Sequence, residues 1–298
     1  MERWKYILGM FSLVVILVGL ALASVTDKKL HLVACNVGQG DAILAVYGEI
    51  QILVDGGPDR RVLDCLSEHL PFWDREIELV VLTHPQKDHF GGLIEVFKTY
   101  KVDNFASTAL DSSSQEFKVL KNQVGSSGAR VVNPNVGMEI AFDLIHLDMV
   151  HPSYAFLASE GTPSSAMGGE GVLGAYTSGR DPNDFSIVAI LRFKNFDALL
   201  TGDISPEVMN EVLSQGRIGD VEYIKIPHHG SKNGLTKELL DTSTPDLAVI
   251  SVGKNSYGHP HQEVLKLLSD RGIKTFRTDE VGDVEVTTDG IRWEIDGK

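Results

Sequence analysis

Thr83-His84-Pro85-Gln86-Lys87-Asp88-His89-Phe90-Gly91-Gly92 follows directly on an apolar, β-branched run at residues 77–82. The run reads as a buried strand and the paired glycines open a helix, so His84, Asp88 and His89 crowd one strand-to-helix loop. In α/β proteins functional groups collect where strands end. Imidazole and carboxylate are ligands of Zn²⁺ and similar ions, and a tight His-x-x-x-Asp-His loop can turn three of them toward one point.

Working outward, the same arrangement recurs. Residues 31–35 form a short apolar run. Residues 42–47 and 50–54 follow, and Gly48-Glu49 between them signals a hairpin. Asp55-Gly56-Gly57-Pro58 stops the second of these strands, and residues 61–69 read as a helix. In the second half, a strand at 186–193 precedes one at 198–200 that ends in Thr201-Gly202-Asp203. A strand at 221–226 ends in Pro227-His228-His229-Gly230-Ser231. A strand at 247–252 leads through a polar turn to Tyr257-Gly258-His259-Pro260-His261, with a helix starting near Gln262. Six of the ten histidines therefore fall at strand ends. Two facing sheets flanked by helices are expected, with no second domain after residue 25. Residues 157–182, rich in Gly, Ser and Ala, read as a mobile surface loop, either a lid or a plain insertion.

A chain of 298 residues with 43% hydrophobic and 23% charged residues is globular and large enough for a substantial core. Its formal net charge of -14 argues against a long basic groove for nucleic acid, because such affinity comes from Lys and Arg neutralising phosphates. It does not exclude a metal-centred phosphodiesterase, since the ion brings its own positive charge. Cys35 and Cys65 are too few for a disulfide scaffold; a single bridge is open in an oxidising compartment, but two buried free thiols is the favoured reading.

The N-terminus carries Arg3 and Lys5, then residues 6–23 without a charge, then the small-residue pattern Ala21-Leu22-Ala23. Residues 1–24 are a signal peptide cleaved before Ser24 or an N-terminal membrane anchor. Either reading puts residues 25–298 outside the cytoplasm, secreted or held to the membrane by one helix.

Taken in order, Asn36-Val37-Gly38-Gln39-Gly40-Asp41, Asp55-Gly56-Gly57, residues 83–92, Thr201-Gly202-Asp203, residues 227–232 and residues 257–261 resemble the metallo-β-lactamase domain of the ComEC competence proteins, which import DNA. The likeness covers roughly residues 30 to 290. It implies an αββα sandwich of two facing mixed sheets and a hydrolase holding one or two divalent ions, Zn²⁺ or Mn²⁺. By the same resemblance His84 would serve a first metal, Asp88, His89 and His229 a second, and Asp203 would bridge. His228 would face the phosphate or donate a proton. Ser231, His259 and His261 would line the substrate side, and Asp41 and Asp55 would brace the metal loop. Two positions depart from the pattern: Gln86 stands where the wider superfamily has His and the ComEC group usually Asp, and Asn36 replaces an opening Asp. Asn183 lies where many superfamily members place another ligand histidine, although the ComEC proteins resemble this chain there.

The expected function is an exported metal-dependent phosphodiesterase, with DNA as the first substrate. A different exported substrate (a cell-wall phosphodiester, a lactone or a lactam) remains open, as does an accessory protein whose first site is lost. No protein partner is expected.

Overall fold

The computed structural model describes residues 2–23, 28–163 and 171–297. The proposed cleavage before Ser24 and the middle of the 157–182 loop lie outside them. Glu2–Ala23 is a helix, α1, whose apolar side chains from Trp4 to Val15 are exposed. Among the described residues no helix is long and apolar enough to cross a membrane.

Two sheets carry the rest. The first contains β1 (Leu30–Ala34), β2 (Ile43–Tyr47), β3 (Ile50–Val54), β4 (Glu76–Leu82), β5 (Lys101–Ser107) and β6 (Arg130–Val132). It is completed by β14 (Val284–Thr288) and β15 (Trp293–Gly297), in the order β15-β14-β1-β2-β3-β4-β5-β6. The second contains β7 (Glu139–Phe142), β8 (Ile145–His151), β9 (Val188–Phe193), β10 (Phe196–Leu200), β11 (Tyr223–Lys225), β12 (Leu247–Ile250) and β13 (Lys274–Arg277), in the order β13-β12-β11-β10-β9-β8-β7. The helices are α2 (Arg61–His69), α3 (Lys87–Phe90), α4 (Leu93–Thr99), α5 (Gln115–Ser127), α6 (Tyr154–Ser159), α7 (Pro206–Ser214), α8 (Lys237–Ser243), α9 (Gln262–Asp270) and α10 (Thr278–Val281).

Because strand side chains alternate between faces, each strand feeds two cores. Leu32 and Ala34 of β1, and Ala198 and Leu200 of β10, enter the layer between the sheets, where they meet Ile52, Val81, Leu191 and Val249. Val33 and Leu199 point outward instead, Val33 to a core with α2, α4 and α5 and Leu199 to one with α7, α8 and α9. This is the expected αββα sandwich. The hairpin at Gly48-Glu49 and the bounds of α2 fall where the sequence placed them.

Two differences stand out. Cys35 and Cys65 are joined in a disulfide rather than free. The bond ties the end of β1 to α2, and nothing in the local sequence reveals that these residues, 30 apart, are neighbours. The described part of the 157–182 segment is also well tied down. Tyr176 bridges to Leu110, Val172 N–H donates to Asn133 Oδ1 at 2.6 Å, and Arg180 pairs with Glu160 and Asp184. The segment begins in α6, not in a loop.

The topology sets the position of the site. β3, β4, β5 and β6 run parallel, and so do β10, β11, β12 and β13. The C-terminal ends of both parallel sets face the same place, and every metal-ligand candidate lies on the segment that leaves one of these ends, Asp88 and His89 in the short helix α3 after β4.

Candidate metal centre

The loop after β4 is braced from beneath. Asp55, at the end of β3, accepts from Thr83 N–H at 2.8 Å and Thr83 Oγ1–H at 2.7 Å. Its Oδ2 also lies 2.7 Å from His89 Nδ1. A carboxylate there holds the Nδ1–H tautomer and leaves Nε2 as the electron-pair donor. Glycines make this approach possible. A Cβ on Gly40 would collide with the Asp88 carbonyl oxygen, and one on Gly92 with the Gly56 carbonyl.

The opposing sheet supplies the other half. After β11, His228, His229 and Gly230 all have φ near +50° to +80°. Two consecutive non-glycine residues in the left-handed region carry roughly 1–2 kcal/mol of strain each, and this turn aims His229 inward. Its Nδ1–H donates to the Ser251 carbonyl at 2.9 Å, which again leaves Nε2 as the donor.

These atoms converge. Asp203 Oδ2 is 3.3 Å from His89 Nε2 and 3.2 Å from His229 Nε2, and His229 Nε2 is 3.5 Å from Asp88 Oδ2. Ligand atoms of Asp88, His89, Asp203 and His229 all lie within 4.8 Å of one another. The Nε2 atoms of His89 and His229 are buried without a hydrogen-bond partner. Two buried imidazole lone pairs and two carboxylates facing one point are costly alone and fit a divalent cation.

The electrostatics describe the same cluster. Burial works against charge on His89 and His229, but the carboxylate of Asp203, with Asp55 or Asp41, outweighs it and holds both imidazoles well above their ordinary pKa. Burial likewise opposes ionisation of Asp203, yet His229, His89 and Lys225 hold it well below the usual carboxylate range. Asp55 goes the other way, raised chiefly by burial.

The remaining expected residues separate. His84 is fully buried, its ring 4.1 Å from that of His89, with Nδ1 3.0 Å from Thr83 Oγ1 and Nε2 unpartnered. Burial, helped by His89, pushes it down to about 3. It belongs to no tight ligand set among the described residues. Gln86 Nε2 reaches toward Asp181 Oδ1 at 3.5 Å, and buried Asn183 keeps Oδ1 unpartnered. His228, His259 and His261 are half-buried and follow one another ring to ring at 5.7 and 5.4 Å, with Tyr257 5.7 Å from His259. Burial lowers His228, and it lowers His259 to about 4. Ser231 is buried and its hydroxyl accepts from Asn233 N–H, closing the turn.

The sequence reading missed Lys225. It is 1% exposed, and its Nζ donates to the Gly202 carbonyl at 2.9 Å, to Asp203 Oδ1 at 3.2 Å and to Asp41. The available signal was a lone cation at the end of a buried strand, where an unpaired charge is not tolerated. Ser186, whose Oγ accepts from Asp203 N–H at 3.1 Å, was also missed.

Comparison with known proteins concerns the family and the fold. The sequence profile described as "Metallo-beta-lactamase superfamily" matches residues 35–254. ComE operon protein 3 of Bacillus subtilis is 26% identical over 270 residues, covering 84% of this chain and 32% of that protein. Recombination protein 2 of Haemophilus influenzae is 25% identical over 265 residues, covering 87% and 29%. The chain thus spans about a third of the length of either relative. Among solved structures, the metallo-beta-lactamase fold protein YhfI from Bacillus subtilis superposes with a TM-score of 0.53 at 11% identity, covering 86% of this chain and 99% of that one. Tm1679, a metal-dependent hydrolase of the beta-lactamase superfamily, gives 0.51 at 12%, covering 88% and 100%. At such identities the likeness concerns the fold.

Proposed function

This chain belongs to the metallo-beta-lactamase superfamily and is a metal-dependent hydrolase related to the ComEC competence proteins, and on that premise we propose that it hydrolyses phosphodiesters outside the cytoplasm, with DNA as the leading substrate. The observation that carries this reading is the quartet of Asp88, His89, Asp203 and His229, with the half-buried His228, His259 and His261 beside it.

The quartet would hold Zn²⁺ or Mn²⁺, both compatible with a mixed imidazole and carboxylate set. A bound ion lowers the pKa of water toward neutrality and polarises a phosphoryl oxygen. Asp55, through His89 Nδ1, and the Ser251 carbonyl, through His229 Nδ1, keep both imidazoles presenting Nε2. Burial disfavours charge on His228, which suits it to offer an N–H to a non-bridging oxygen rather than a proton to the departing alcohol. His259 and His261 extend that polar wall outward.

Two features support export: the uncharged stretch behind Arg3 and Lys5, and the Cys35–Cys65 bond, a form of cysteine that persists in oxidising compartments. The relatives' names, ComE operon protein 3 and Recombination protein 2, favour DNA among diesters. The net charge of -14 favours a smaller exported ester instead, so both belong in one screen.

The purified chain, loaded with Zn²⁺ or Mn²⁺, is assayed on bis-p-nitrophenyl phosphate, single- and double-stranded DNA, a phosphorylcholine ester, a lactone and a lactam. Cleavage of the generic diester and of at least one natural diester is expected. Turnover confined to the lactone or lactam would overturn the reading. For location, residues 1–30 are fused to a reporter that is active only after export, and an inactive fusion removes the export claim.

A further inference from the structure

A carboxylate that bridges two cations gives one oxygen to each, and Asp203 does not have both oxygens free. Oδ2 faces the imidazoles of His89 and His229, while Oδ1 lies 3.2 Å from the buried ammonium of Lys225. That ammonium cannot swing aside easily, because the Gly202 carbonyl and Asp41 hold it as well, and Asp41 Oδ1 is itself 3.3 Å from His229 Nδ1.

A second ion would lack ligands of its own: His84 has an unpartnered Nε2, but two positions where the wider superfamily places ligands carry neutral amides, Gln86, turned toward Asp181, and Asn183, with Oδ1 unpartnered. Amide oxygens are weak ligands for Zn²⁺ beside carboxylate and imidazole. His84 joins no set of three or more histidine, cysteine or carboxylate ligand atoms within 4.8 Å among the described residues.

We infer that the centre is mononuclear: one dication held by Asp88, His89, Asp203 and His229, with Asp203 as a terminal ligand and Lys225 as the fixed cation that satisfies its other oxygen. Lys225 is then a positioning residue. Its charge stands where the second ion's claim on Asp203 would be, and it sets the number of ions the chain binds. The inference rests on reading the quartet as a cation site and is independent of which ester is cleaved.

The test counts ions. The full chain is stripped with chelator, equilibrated with Mn²⁺ or Zn²⁺ over a range of concentrations, and its bound metal is measured by elemental analysis. The Mn²⁺ form is also examined by electron paramagnetic resonance. One equivalent per chain at saturation and an uncoupled Mn²⁺ signal are expected. Two equivalents, or a spin-coupled dimanganese signal, overturn the inference while leaving the hydrolase reading intact. No binding at all overturns both. One ion without diester cleavage keeps the inference and removes the phosphodiesterase proposal. In Lys225→Met, which frees Asp203 Oδ1 and Asp41, a second equivalent should bind, whereas Lys225→Arg should keep one. A Lys225→Met protein that still takes up one ion with unchanged affinity also counts against the role. If that variant does not fold, the wild-type count and spectrum still decide.

Discussion

His89 Nε2 lies 3.3 Å from Asp203 Oδ2, although one residue leaves the first sheet and the other the second. The centre is therefore an interface between two half-molecules, and each half is incomplete without the other. Asp203→Ala and Asp88→Ala should each reduce diester hydrolysis and metal affinity at least about a hundredfold, since even groups that merely orient ligands are worth 10–100-fold. Competition with a chromogenic chelator measures the affinity. Full activity in both variants would show that the centre lies elsewhere.

Asp55 touches no ligand atom of the quartet except through His89, whose Nδ1 lies 2.7 Å from its Oδ2. In Asp55→Asn the amide can still accept from Thr83 but no longer holds the Nδ1–H tautomer as a carboxylate does. A drop of about 10–100-fold in metal affinity is expected, with near-native circular dichroism. Unchanged affinity would mean that His89 keeps its orientation through packing alone.

The Cys35–Cys65 bond closes a loop across a sequence separation of 30. In the chain-entropy description a loop of that length restrains the unfolded state by about 3–4 kcal/mol. The Cys35→Ala/Cys65→Ala double variant should lose stability on that scale in urea, and wild type in reductant should behave alike. Identical melts of oxidised and reduced protein would argue that the bond does not form in solution.

His151 gives a pH signature that does not depend on the metal. It is buried, its Nδ1–H donates to the Ser186 carbonyl at 2.9 Å, and burial pushes it from 6.5 down to about 4, despite an opposing contribution from that hydrogen bond. Above pH 6.5 both folded and unfolded chains keep this histidine neutral. Between 6.5 and about 4 only the unfolded chain takes up the proton, so stability falls with pH by roughly 3 kcal/mol in all, and this contribution is flat below. Urea midpoints from pH 7.5 to 4.5 should decline more steeply for wild type than for His151→Phe. Parallel curves would show that His151 is protonated in the folded state.

Much of the first half of the fold was legible locally. The hairpin around Gly48-Glu49 and helix α2 depend on turn chemistry and periodicity within a few residues, and they appear where the sequence puts them. Strands β14 and β15, which complete the first sheet, were not foreseen; they pair with each other locally, but only the distant strand β1 fixes β14 to the sheet. The strand-end motifs likewise marked Asp88, His89, Asp203 and His229, since such residue types at such positions suit an ion whatever the partner loop.

Sequence by itself determined which loops carry ligands, because strand ends and glycine turns are written in neighbouring residues. Only the tertiary structure decided how those ligands divide: that Lys225 takes one oxygen of Asp203, that His84 stands outside the quartet, and that Cys35 meets Cys65. The reason is geometric. A hydrogen bond or a coordination bond depends on separations of a few tenths of an ångström between atoms of different sheets, and those separations exist only once both cores have packed.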